Sequence, residues 1–198
     1  MIAKEMSDFF HKHEENLKAN KLYLLYDDAA SLSGGCTQLT VFLIEYMGLN
    51  VQKIMEMLDH KIPDNFLTNY DKLRQLQIPM NIDTIGAYAF ANCKKLQVLS
   101  FSTSNSKGCR IIERGAFENC SSIKNVILPE SVRFLQDDIF KGCSSLAGIE
   151  FKNSDEITLG NNAVPINVGM TFILHTRKAH IPTSLWEAIK KDCNYSIV

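Results

Sequence analysis

The sequence predicts an α+β fold: a short repeat solenoid preceded by an α-helical N-terminal head and closed by a C-terminal capping helix. Three observations carry that expectation. The pattern Phe, two residues, Cys, two residues, Leu or Ile is spelled as YAFANCKKL, GAFENCSSI and DIFKGCSSL. An apolar L-x-x-L-x-L spacing runs through each copy into the residues after it. Residues 1–60 show neither feature and read as helices.

The repeat sets the order of the middle elements. Leu73, Leu96, Ile123 and Leu146 are separated by 23, 27 and 23 residues. After them come Leu76 and Ile78, Leu99 and Phe101, Val126 and Leu128, and Ile149 and Phe151. Alternation over these positions predicts a strand with one buried face. Pro79 and Pro129 end two of the strands, because proline cannot donate to a ladder. A second apolar pair precedes each Phe: Ile82 and Ile85, Cys109 and Ile112, Val132 and Leu135. LGNNAV (159–164) is a partial fifth copy, and NFLTNYDKL (65–73) a degenerate first copy with one extra residue. One unit buries only one edge, so units must stack. Stacking predicts one buried column of Phe66, Phe90, Phe117 and Phe140 and another of Cys93, Cys120 and Cys143.

IPMNIDTIGAYAFANCKKLQVLSF and LPESVRFLQDDIFKGCSSLAGIEF resemble the leucine-rich repeats of the BspA or Treponema type, over about residues 62–165. The resemblance implies a short leucine-rich-repeat solenoid, a non-enzymatic protein-binding role and no cofactor. Long secreted members look like bacterial surface or pathogen adhesins. Short, helix-headed members without a signal resemble proteins carried by phages and other mobile elements, which implies a cytoplasmic host-protein inhibitor.

The expected division is a helical head or cap (1–60), repeats (61–165) and a strand-plus-helix cap (166–198). In the head, one helix is expected over about Ser7–Asn20, with Phe9, Phe10, His13 and Leu17 at helical spacing. A second covers Thr37–Met47 and stops at Gly48, and Asn50 caps a third with Val51, Ile54, Met57 and Leu58. At the C-terminus, Ser184 and Glu187 read as an S-x-x-E capping box, starting a helix that carries Trp186, Ile189 and Lys190.

Charge and composition exclude several functions. Lys and Arg number 21 against 22 Asp and Glu, and no run of cations forms a patch, which argues against nucleic-acid binding. The longest apolar stretch, TVFLIEYMGL, is broken by Glu45 and Gly48, so no membrane span is expected. MIAKEMSDFFHKHEEN lacks the apolar core of a secretory signal, and the cysteines read as free thiols.

Cys36 in SLSGGCTQL, with His13 or His60 as base, is the alternative of another class, a cysteine-dependent enzyme; the bland role, a small residue near a helix start, is preferred. His11 and His13 in HKHEE fall on different helix faces and read as solvated, not as metal ligands. The ladder cysteines lack a C-x-x-C pair for zinc. The expected partner-binding surface is the outward strand face. It comprises the columns Gln75, Val98, Asn125, Gly148 and Gln77, Ser100, Ile127, Glu150. The polar loop STSNSKGCR (102–110) stands beside it. Self-association through either end of the solenoid is the other contact the sequence allows.

Overall fold

Each L-x-L run becomes a strand whose alternate residues are covered. The computed structural model describes residues 3–19, 21–29, 35–103, 107–152, 156–175 and 182–198. In it β2 (Gln75–Ile78), β4 (Val98–Phe101), β6 (Asn125–Leu128) and β8 (Gly148–Phe151) lie parallel, side by side. The sheet continues through β10 (Thr171–Leu174) and β11 (Asn194–Ile197), in the order β11-β10-β8-β6-β4-β2. Pro79 and Pro129 directly follow β2 and β6, as the sequence predicts.

A second parallel sheet holds one strand from each of five turns: β1 (Lys61–Ile62), β3 (Thr84–Ile85), β5 (Ile111–Ile112), β7 (Phe134–Leu135) and β9 (Thr158–Leu159). Two residues per strand are too few for alternation to show in sequence. Between the two sheets the Phe motif makes a turn with a left-handed residue at Asn65, Tyr88, Gly115 and Asp138, where φ is 55–60°. Each such turn is tied to the next: Tyr88 N–H donates to Arg114 O, Phe90 N–H to Ala116 O and Asn92 N–H to Glu118 O.

The core is the stack of apolar slots. Rings of Phe90, Phe117 and Phe140 are near-parallel, with centroids 5.6 and 5.7 Å apart. Phe66 meets Phe90 at 5.8 Å but edge-on. The backbone pairing explains the change: Leu67 N–H bonds Ala89 O as Phe90 N–H bonds Ala116 O, so Leu67 holds the phenylalanine slot. The degenerate first copy therefore aligns from Leu67 without an extra residue, and Phe66 occupies the slot of Ala89. Beside the rings, the thiols of Cys93, Cys120 and Cys143 donate to Leu67 O, Phe90 O and Phe117 O, one turn back, at 3.1–3.2 Å.

The head is α1 (Ala3–Lys12), α2 (Glu14–Lys18), α3 (Leu22–Ala29), α4 (Gly35–Glu45) and α5 (Val51–Glu56). The single helix expected over Ser7–Asn20 is broken at His13. That histidine is buried rather than solvated: it packs on Phe9 and bonds Asp28 Oδ2 at 2.8 Å, while His11 is exposed. α3 was not anticipated, although Leu22, Leu25, Tyr26 and Ala29, all buried, follow helical spacing. Asn50 caps α5 as expected, accepting from Lys53 N–H at 2.7 Å. The head covers the open end of the first turn: Tyr26 lies 5.6 Å from Phe66, and Asn81 donates to Met55 O and Leu58 O.

At the other end, α6 (Thr183–Asp192) starts after Pro182 with no side-chain cap. The expected capping box is not formed, because Ser184 and Glu187 lie inside the helix; Glu187 pairs instead with Lys190 at 2.7 Å. Trp186 and Ile189 are buried, and β11 then returns to the sheet, a strand the sequence reading did not include. Residues 104–106 of the polar loop lie outside the described residues. No described helix is long and apolar enough to cross a membrane.

Two outcomes test this core. Phe117→Ala removes the middle ring of the stack and is expected to lower unfolding free energy by about 3–5 kcal/mol in urea melts; a loss under about 1 kcal/mol would contradict it. In the native protein at about pH 8, an aromatic disulfide reagent should label partly exposed Cys193 first. The five buried thiols should react only on unfolding, and early release of more than one thiol would show an open core.

Candidate functional site

The outward slots of the large sheet stand in register. Gln75 lies beside Val98 and Gln77 beside Ser100. Asn125 lies beside Gly148 and Ile127 beside Glu150. β10 and β11 prolong the two columns with Thr171 and Asn194, and with Ile173 and Ser196. The sequence reading stopped the columns at β8 because these last strands fall outside the repeat period.

Burial divides the face. Gln75, Gln77, Ser100 and Asn125 are exposed polar residues. Val98 and Ile127 are 50% and 47% exposed, apolar side chains held on an otherwise polar surface. Glu150 is half-buried and engaged: His175 Nε2 lies 2.8 Å from its Oε1, so that end of the face is an ion pair when the histidine is protonated. A hollow beside Val98 is lined by Gln97, Ser122, Lys124, Asn125 and Ser145.

A second hollow lies where α5 meets β2, lined in part by Lys53, Tyr70, Lys72, Arg74 and Gln75. At this junction the Glu45 carboxylate takes Lys72 Nζ and Tyr70 Oη, each at 2.9 Å. The Lys72 ammonium, then the Tyr70 hydroxyl, hold that carboxyl below its usual range. Burial, with the same carboxylate beside it, pushes the Tyr70 hydroxyl up to about 12. The sequence reading missed this junction, since its residues come from the head and the first repeat.

The fold also alters the reading of charge. No run of Lys or Arg exists in sequence, yet the turns preceding β2, β4 and β6 set Lys72, Arg74, Lys94, Lys95 and Lys124 on one rim of the strand face. Gln97 N–H bonds Arg74 O and Ala147 N–H bonds Lys124 O, which fixes the stacking of these positions.

Cys36 sits in the first turn of α4, 7% exposed, its thiol directed at Tyr26 O. Burial, with the carboxylates of Asp64 and Asp27, pushes that thiol up to about 11, the reverse of what a thiolate nucleophile needs. Ser31 to Gly34 of the same motif lie outside the described residues. Among the described residues no three His, Cys, Asp or Glu side chains gather to hold a metal ion.

No curated protein matches the chain significantly. Three solved structures resemble it. A leucine-rich repeat protein from Bacteroides capillosus is 20% identical, over 46% of this chain and 62% of its own, with a TM-score of 0.37. The leucine-rich repeat protein of T. pallidum is 16% identical, over 70% of this chain and 80% of its own, with a TM-score of 0.38. A leucine-rich cell surface protein from Faecalibacterium prausnitzii is 22% identical, over 59% of this chain and 42% of its own, with a TM-score of 0.36. The chain thus spans less than two thirds of the Bacteroides and Faecalibacterium proteins. The BspA type leucine rich repeat region, in six copies, matches residues 60–170, the segment that holds the small sheet and strands β2, β4, β6 and β8 of the large one, and the chain belongs to that family.

Proposed function

We propose that the chain is a non-enzymatic module that offers its strand face to a protein partner and inhibits that partner by covering an active or docking site. The repeats of its family suggest a protein-interaction module in general terms. The observation that favours this face is the pair Val98 and Ile127, half-exposed in a sheet whose strands are fixed by their neighbours. A preformed surface loses little conformational freedom on binding, so modest apolar anchors contribute more of their burial to affinity. Gln75, Gln77, Ser100 and Asn125 supply the polar part of the contact, and Glu150 bounds it through its pair with His175.

The narrowest form of the proposal is an intracellular inhibitor of a host protein, of the kind that short helix-headed members in phages and mobile elements suggest. Six free cysteines, five of them buried, suit a reducing compartment.

The test is an affinity pull-down from cytosol of the source or host cell, with wild type beside a Val98→Glu, Ile127→Glu variant. One stoichiometric partner should be captured by the wild type and lost by the variant at unchanged melting temperature. A partner kept by the variant would move the contact to the head. Capture from cell surfaces alone, with none from cytosol, would overturn the intracellular inhibitor in favour of an adhesin.

A further inference from the structure

We infer that the rim of the strand face binds an extended acidic segment of the partner; this rests on the strand-face reading above and adds the partner's chemistry. Four cations on this rim, Lys53 of α5 and Arg74, Lys94 and Lys124 of the turns, make no side-chain ion pair or hydrogen bond among the described residues. Their neighbours Lys72 and Lys95 are already neutralised by Glu45 and Asp71. Glu56 lines the same hollow as Lys53 and Arg74 and offsets one of the four, which still leaves the rim a local excess of positive charge on a chain of net charge −1.

Shape adds to charge. The two hollows described above both open on this rim, one holding Lys53 and Arg74, the other Lys124. Arg74 and Lys124 occupy the same slot immediately before β2 and β6, two strands apart, which puts their positions about 10 Å from each other. A polyproline-II segment repeats a face every three residues, about 9 Å along its axis. Acidic residues at every third position therefore meet both cations. An apolar residue between them, on the adjacent edge of the segment, lies against Val98, which lines the hollow that holds Lys124. Long-range attraction to the rim raises the encounter rate, and the apolar contact slows release.

The acidic reading is favoured over a nucleic acid because the cations number few and are interleaved with Ser122, Ser145 and Gln97, no aromatic lines the hollow beside Val98, and Tyr70 in the other hollow is half-buried and held by Glu45. Counterion release scales with the number of phosphates neutralised, so four cations would contribute little of it to a nucleic acid.

The experiment uses fluorescence anisotropy with a labelled Glu-Pro-Leu repeat peptide on the full chain, a Lys-Pro-Leu repeat as control and a short thymidine oligonucleotide as rival. The acidic peptide should bind, the basic one should not, and affinity should fall about ten-fold or more in about 1 M NaCl, where the Debye length is roughly 3 Å. Arg74→Glu with Lys124→Glu should abolish binding. Arg110→Glu with Lys152→Glu, equal in charge change and lying just before β5 and just after β8, away from the strand starts that form the rim, should leave it unaltered. Equal loss in both double variants, equal binding of both peptides, or no binding of the acidic peptide overturns the inference; so does tighter rim-dependent binding of the oligonucleotide. The two readings separate in the pull-down. A partner lost with Val98→Glu, Ile127→Glu but kept with Arg74→Glu, Lys124→Glu sustains the strand face and removes the acidic segment.

Discussion

No turn of this solenoid can satisfy its own backbone. Gly86 N–H reaches back to Ile62 O, Phe90 N–H forward to Ala116 O, and Phe117 N–H forward to Ile139 O, so each turn is completed by its neighbours. A buried backbone group left unpaired is expensive, and this one requirement fixes much else. It holds equivalent residues in parallel register, which makes a column of every slot. It also forbids length changes inside a turn. The unit between Leu96 and Ile123 is four residues longer than its neighbours, yet Ile85 still pairs with Ile112 and Leu99 with Val126. The surplus has to leave the solenoid between β4 and β5, where the polar loop begins.

The same requirement makes the two ends special, because each has a face with no next turn. The N-terminal end is closed by helices. Tyr26 covers Phe66 and bonds Thr40 through its hydroxyl, Thr40 bonds Cys36 O, and Thr37 bonds Asn65 O, so polar links accompany the apolar lid. The C-terminal end is closed differently. Trp186 and Ile189 cover the last turn from α6, but β11 then adds one more strand, leaving Tyr195 and Ile197 about half-exposed on what would be the inner face. Tyr195 recovers part of that area by meeting Trp186 edge-on at 5.1 Å.

Legibility followed from the repeat. Wherever a slot recurs, several copies of one pattern outweigh the ambiguity of any one: β2, β4, β6 and β8, the rings of Phe90, Phe117 and Phe140 and the thiol ladder are readable, whereas in the degenerate first copy Leu67, not Phe66, fills the ring slot. The small sheet is not, because four of its two-residue strands contribute a single buried residue each, such as Ile85 or Ile112, and β9 contributes none. Single-copy elements fared worse. α3 has the right spacing but spans only eight residues with no acidic residue in its first turn, and the S-x-x-E at Ser184 is overruled by Pro182, whose fixed φ suits a helix entry two residues earlier. His13 looked solvated because sequence shows its neighbours Lys12 and Glu14, not Asp28 across the helix pair. The outward residues Val98 and Ile127 were placed by alternation alone. Their binding role could not be, since alternation says which side chains face out and nothing about what meets them.

Charge shows the limit most clearly. Arg74 and Lys124 are fifty residues apart in sequence, farther than any window that scans for basic runs, yet two strands apart in space. A solenoid converts sequence period into surface adjacency, so a patch can be assembled from one cation per turn at no cost to local charge balance. Gln97 stands in the slot between Arg74 and Lys124, so the two cations do not lie directly opposite one another on adjacent strands, where like charges repel. The fold can vary the outward slot of each turn independently, because the register is held by the inward slots and the backbone. Recognition can therefore be changed one turn at a time without disturbing the stack that carries it.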